Sequence, residues 1–161
     1  MQTLRLKKSV AGVAILAILF LLPLQQASAN YTTTVTLTYG NYGDLDTLVG
    51  LPADGFQDDI IINMTLELSN KRYSTPIDLY FGIILPSGQQ FWWEANLIVY
   101  KTSTTASFDL SVVIIDIATE SGFYTAQAVG FAVNEQFSYL TSIIFDPPGG
   151  GAGRPPTATF L

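Results

Sequence analysis

In DIIINMTLEL, residues 59–68, the even positions Ile60, Ile62, Met64, Leu66 and Leu68 are all apolar, whereas Asn63, Thr65 and Glu67 break up the odd ones. A period of two puts the even set on one side of an extended chain and the odd set on the other, so the stretch is predicted to be a strand with one buried face. The same period runs through YTTTVTLTY, residues 31–39, with Val35, Leu37 and Tyr39 on one side and Thr34, Thr36 and Thr38 on the other. Branched and aromatic side chains of this kind suit a pleated, half-buried surface. Ile77–Leu85 repeats the pattern with Ile77, Leu79, Phe81, Ile83 and Leu85, and Ser107–Ile117 with Phe108, Leu110, Val112 and Ile114.

Shorter apolar runs follow the same reading at Phe91–Trp93, Ala95–Tyr100, Phe123–Val133 and Phe137–Phe145. Between the runs lie turn signals: the long acidic loop Gly40–Asp58, then Ser69–Pro76, Pro86-Ser87-Gly88, Glu120-Ser121-Gly122 and Asn134-Glu135-Gln136. Proline presets φ and glycine accepts positive φ, which is what tight turns require. About seven short strands, with no helical period after residue 29, predict an all-β, antiparallel two-sheet sandwich. Its expected core includes Ile62, Leu66, Phe81, Ile83, Leu110, Val112 and Phe131.

The N-terminus has a different logic. Arg5, Lys7 and Lys8 precede the apolar run Val10–Leu22, and Ala27-Ser28-Ala29 is a small-x-small cleavage site, the three-part layout of a secretory signal peptide. Residues 1–29 are therefore expected to be removed, leaving a sandwich over 30–145 and a Pro/Gly-rich flexible tail over 146–161. The apolar run is short for a membrane-spanning helix and is closed by Pro23, so no stable membrane span is expected in the mature chain. Without that leader, Lys71, Arg72, Lys101 and Arg154 stand alone against 13 acids. So acidic a surface disfavours nucleic acid and anionic membranes.

The chain has no His and no Cys. Ser-His-Asp and Cys-His catalysis, His-ligated zinc, haem and iron–sulfur chemistry all require those residues. Acids are available for a paired-carboxylate hydrolase, but the predicted inward faces hold Ile, Leu, Val and Phe. A non-enzymatic protein is expected.

The stretch Pro76–Gly88, PIDLYFGIILPSG, resembles the strand and turn of secreted bacterial immunoglobulin-like modules, and Gly122-Phe123-Tyr124 is similar to a later Gly-x-Tyr strand in them. The resemblance implies an immunoglobulin-like sandwich in an extracellular setting. It implies no catalytic or binding residue.

Two groups of residues are candidates for ligand contact. Asp44, Asp46, Asp54, Asp58 and Asp59 could gather oxygen ligands for Ca²⁺ in a glycine-rich loop, although their spacing is not that of an EF-hand. A solvated loop, repelling edge-to-edge pairing by its charge, is the plainer expectation. Trp92 and Trp93 are adjacent, so in a strand only one can join the core, and the other is free to stack on a sugar ring or a partner. Asn30-Tyr31-Thr32 and Asn63-Met64-Thr65 have the form of glycosylation sequons.

The expected function is a secreted or cell-surface β-sandwich of the envelope or matrix, adhesive or structural, meeting a protein or glycan at the cell surface. The alternative is an extracellular filament subunit that binds its own copies by strand exchange of residues 31–39, since that strand begins beside the predicted cleavage site.

Overall fold

The computed structural model describes residues 32–69, 74–100, 105–132, 139–148 and 156–161. The leader, the sequon at Asn30, the turn at 134–136 and residues 149–155 lie outside the described residues, as does every Lys and Arg of the chain.

Alternating burial turns into eight strands: β1 (Thr32–Gly43), β2 (Asp59–Ser69), β3 (Ser74–Ile84), β4 (Gln90–Tyr100), β5 (Ala106–Ile115), β6 (Tyr124–Ala132), β7 (Thr141–Phe145) and β8 (Thr157–Phe160). They form two four-stranded sheets, in the orders β1-β2-β5-β8 and β4-β3-β6-β7. Every pairing is antiparallel, as the two-sheet reading requires. The even residues of β2, Ile60 through Leu68, are all fully buried and meet the inner face of the other sheet in one apolar core. Each such side chain contributes roughly 1.5–3 kcal/mol by leaving water.

The inner face of β6 is unlike the others. It carries Tyr124, Ala126, Ala128, Gly130 and Ala132, all buried, so Phe131 points outward and is 38% exposed. The expectation that Phe131 is core is therefore corrected: bulk favours the odd side of β6, but packing favours the small side. A Cβ on Gly130 would sit 3.3 Å from Thr33 Cγ2, 3.4 Å from Val35 Cγ2 and 3.5 Å from Leu66 Cδ1, all on the facing sheet. Leu110 is half-buried against the core, and the remaining expected core residues are fully buried.

Several boundaries also differ. β1 runs on past Tyr39 to Gly43 through a register shift between Tyr39 and Asn41. Gly40 makes this bulge feasible, because a Cβ there would lie 2.9 Å from Asn63 Nδ2. Phe91–Trp93 and Ala95–Tyr100 are one strand, since Glu94 faces outward and leaves the alternation intact. The stretch expected as a flexible tail from residue 146 ends in β8, where Ala158 is buried, Phe160 lies edge-on to Phe81, and Leu161 and Ser111 exchange backbone hydrogen bonds.

Two turns joined through Glu120 fix one end of the sandwich. In the Pro86-Ser87-Gly88 turn, Gly88 has φ +86° and donates to Leu85 O at 2.8 Å, while Ser87 N and Oγ both donate to the Glu120 carboxylate at 2.7 Å. The buried Tyr124 hydroxyl donates to Glu120 O and accepts from Glu120 N, both at 2.8 Å, closing the corner before β6.

Truncating Leu66→Ala is expected to cost about 2–5 kcal/mol in chemical denaturation, and Phe131→Ala about 1 kcal/mol or less. Equal losses would mean that β6 presents its other side to the core.

Candidate functional site

The long loop between β1 and β2 is organised by its own carboxylates. After Gly43 the chain makes a 3₁₀ turn, Asp46–Val49, and returns to β2 at Asp59. Asp44 Oδ2 accepts from Gly55 N at 3.0 Å, Asp46 Oδ2 from Asp54 N at 3.1 Å, and Asp54 Oδ1 from Phe56 N at 2.9 Å. These bonds fold the two limbs of the loop together, and one carboxylate oxygen from each of Asp44, Asp46 and Asp54 lies within 4.8 Å of the others.

Asp58 and Asp59 close the loop against β5. Asp59 is 2% exposed and spends both oxygens on backbone donors, Leu45 N at 2.6 Å and Asp116 N at 2.8 Å. Asp58 O accepts from Ile117 N at 2.9 Å and Ala118 N at 2.7 Å. The Asp58 side chain is 1% exposed, and neither of its oxygens has a partner beyond its own backbone N–H. Burial first, then the charges of Asp59, Asp116 and Asp54, pushes its carboxyl up to about 6. Asp59 is also raised, mainly by burial, with the hydrogen bonds from Asp116 and Leu45 opposing and the charges of Asp46 and Asp44 adding to the rise.

The five acids expected from the sequence are thus brought together, but not as a solvated loop, because Asp46, Asp58 and Asp59 are buried. Asp116 was missed. It is 8% exposed with φ 59°, a left-handed conformation that Asp tolerates better than most residues. Its only signal in the sequence is a carboxylate interrupting the apolar run VVIIDIA.

Trp93 is buried, stacked at 6.1 Å on Phe81 and at 6.3 Å on Phe91, so of the two candidate stacking residues it is the one that cannot meet a ligand. Trp92 is 46% exposed on the outer face of the β4-β3-β6-β7 sheet. Its indole covers Gly82 of β3, where an added Cβ would come within 2.6 Å of the ring. Nearby on that face, Tyr80 and Phe131 meet edge to face at 6.2 Å. Burial and the charges of Glu94 and Asp78 raise the Tyr80 hydroxyl, so it stays neutral across the physiological range.

Comparison with protein-family models, with curated proteins and with solved structures finds no match for the chain. Among the described residues no helix is long and apolar enough to cross a membrane.

The raised Asp58 carboxyl gives a signed pH dependence. Its folded value, about 6, lies above the ordinary 3.8, so its contribution to stability is complete below about pH 4 and is lost as the pH rises through 6. The thermal midpoint is expected to fall between about pH 4 and pH 6.5, and Asp58→Asn to flatten that fall. A midpoint that rises over the same interval would contradict the assignment.

Proposed function

We propose that the protein is an exported, non-enzymatic immunoglobulin-like sandwich that serves the cell surface or extracellular matrix as a binding or structural module. The observation that carries this reading is the contrast between its two outer faces. The β1-β2-β5-β8 sheet turns out Thr34, Thr36, Thr38, Asn63, Thr65, Ser107 and Asp109, with Thr65 Oγ1 donating to Asp109 and Ser111 Oγ to Asn63. The β4-β3-β6-β7 sheet turns out Trp92, Tyr80, Phe131, Ile98 and Ile144. Exposed aromatic and apolar residues grouped on one face, with acids Asp78 and Glu94 beside them, are the usual composition of a contact surface. The partner is a surface protein or glycan.

The immunoglobulin-like class is supported by two features. Strand orders β1-β2-β5 and β4-β3-β6-β7 correspond to the A-B-E and C′-C-F-G arrangement of such sandwiches, and Tyr124 makes the upstream hydrogen bond of a tyrosine corner. Export is supported by the three-part leader and the strongly acidic remainder of the chain. Pairing of β1 with β2 within the chain, from Thr32 to Gly43, favours a self-contained sandwich over strand exchange.

Protein collected outside the cells should begin at Asn30. Incubated with envelope polysaccharide and with envelope protein fractions, it should bind one of them with a change in tryptophan fluorescence. Trp92→Ser should weaken that binding at least about tenfold, whereas Thr36→Ala on the opposite face should leave it unchanged. Retention inside the cell with the leader attached, or binding indifferent to Trp92→Ser, would overturn the reading.

A further inference from the structure

We propose that β4 is a dimerisation edge, at which two copies of the chain join their Gln90–Tyr100 strands antiparallel about a two-fold axis at Ala95. The proposal rests neither on export nor on what the aromatic face binds. Among the described residues each sheet ends in two edge strands, and three of these four edges are guarded against pairing in familiar ways. β7 has five residues and β8 four, and β1 carries the register shift between Tyr39 and Asn41. β4 has eleven residues and pairs with β3 in unbroken register. It contains no Pro, Lys or Arg, and its single charge is Glu94. A long edge without such guards is a template for another strand.

The backbone sets which groups are free to pair. Leu85 N donates to Gln89 O at 2.8 Å, and in an antiparallel ladder the residues bonded to one neighbour recur at every second position. The odd residues of β4 therefore bond to β3. The N–H and C=O groups of Gln90, Trp92, Glu94, Asn96, Ile98 and Tyr100 point to the edge, and their six side chains are exposed. On the inner side, Phe91 and Leu97 are only partly covered by the core.

The occupant is a second copy because the strand is complementary to itself. An axis at Ala95 pairs the strand over its whole length and sets Gln90 opposite Tyr100, Trp92 opposite Ile98 and Glu94 opposite Asn96 of the second copy, each twice. These even positions become the hydrogen-bonded pairs, as their free backbone groups require. Within each chain Asp78 of β3 faces Asn96. The Asn96 amide, which has two protons to donate, would thus lie between that carboxylate and Glu94 of the second copy. Gly82 and Pro76 flank Trp92 and Ile98 in the same way, which gives an apolar row. An axis at Glu94 would set two carboxylates directly opposite, and an axis at Asn96 would set Glu94 against Ile98; like charges opposed across strands destabilise, whereas aromatic and branched pairs stabilise. The two-fold arrangement occupies both unguarded edges, so assembly stops at the dimer.

The test uses the protein as purified from the producing cells. Sedimentation over about 1–100 μM should show monomer and dimer and nothing larger. Asn96→Glu sets carboxylates opposite each other on both sides of the axis and should raise the dimer dissociation constant at least about tenfold. Adding Glu94→Lys places opposite charges across the axis and should return the constant to within about threefold of the parent. Ile144→Lys, on exposed β7 at the other edge of the sheet, should leave the dimer unchanged. Amide exchange at Trp92, Glu94, Asn96 and Ile98 should slow as the parent dimerises, a reading that needs no variant. Four results would each overturn the proposal: a protein monomeric throughout or growing beyond the dimer, edge amides whose exchange ignores concentration, folded charge-swap protein that stays monomeric, or a dimer lost with Ile144→Lys. Circular dichroism of each variant separates lost pairing from failure to fold.

Discussion

Small residues on β6 meeting Thr33 and Val35 of β1 and Leu66 of β2 set the spacing on which the rest of the sandwich depends. Leu66 projects fully into the core and ends beside Gly130, on a face of β6 that Ala126, Ala128 and Ala132 keep equally small. Two inner faces both lined with Ile, Leu and Phe would hold the sheets further apart or force side chains off their preferred rotamers. The close approach also brings β1 over β6, so that Thr33 and Val35 border Gly130. With the sheets held in this way, Trp92, Tyr80 and Phe131 are left on the outer face, where Trp92 lies over Gly82.

The architecture was largely legible in the sequence because a period of two is a direct consequence of strand geometry. It identified β2, β3 and β5 with the right buried sides, and predicted that only one of Trp92 and Trp93 would be buried. It misled where apolar bulk and burial part company. On β6, Val129 and Phe131 make the odd side the greasier one, yet the fold buries Ala and Gly, because what matters is complementarity to strands more than 60 residues earlier in sequence, as Gly130 is to Leu66. β8 was hidden for a related reason: a four-residue TATF after a Pro/Gly-rich stretch has no recognisable period, and only the open edge of β5 gives it a place.

The acidic loop shows the same limit in electrostatic form. Clustering of Asp44, Asp46, Asp54, Asp58 and Asp59 was visible, but their burial was not. Folding the loop back on itself through carboxylate–amide bonds, and anchoring it by Asp59 to the backbone of Asp116, takes charges out of water that a free loop would leave solvated. Asp116 could be joined to the cluster only once β2 and β5 were paired, with Ile60 opposite Ile114. The two special regions thus derive from one framework: paired strands carry the acids to one end and spread the aromatic residues over one face.

The sheet-spacing account is tested most directly by a double-mutant cycle between Gly130→Val and Leu66→Ala, measured by chemical denaturation. Gly130→Val should destabilise by about 1–3 kcal/mol through overpacking, and in the Leu66→Ala background the added methyls should occupy the vacated space, so the double variant should lose at least about 1 kcal/mol less than the sum of the singles. Losses that add to within about 0.5 kcal/mol would mean the two positions do not share that space, contradicting the account.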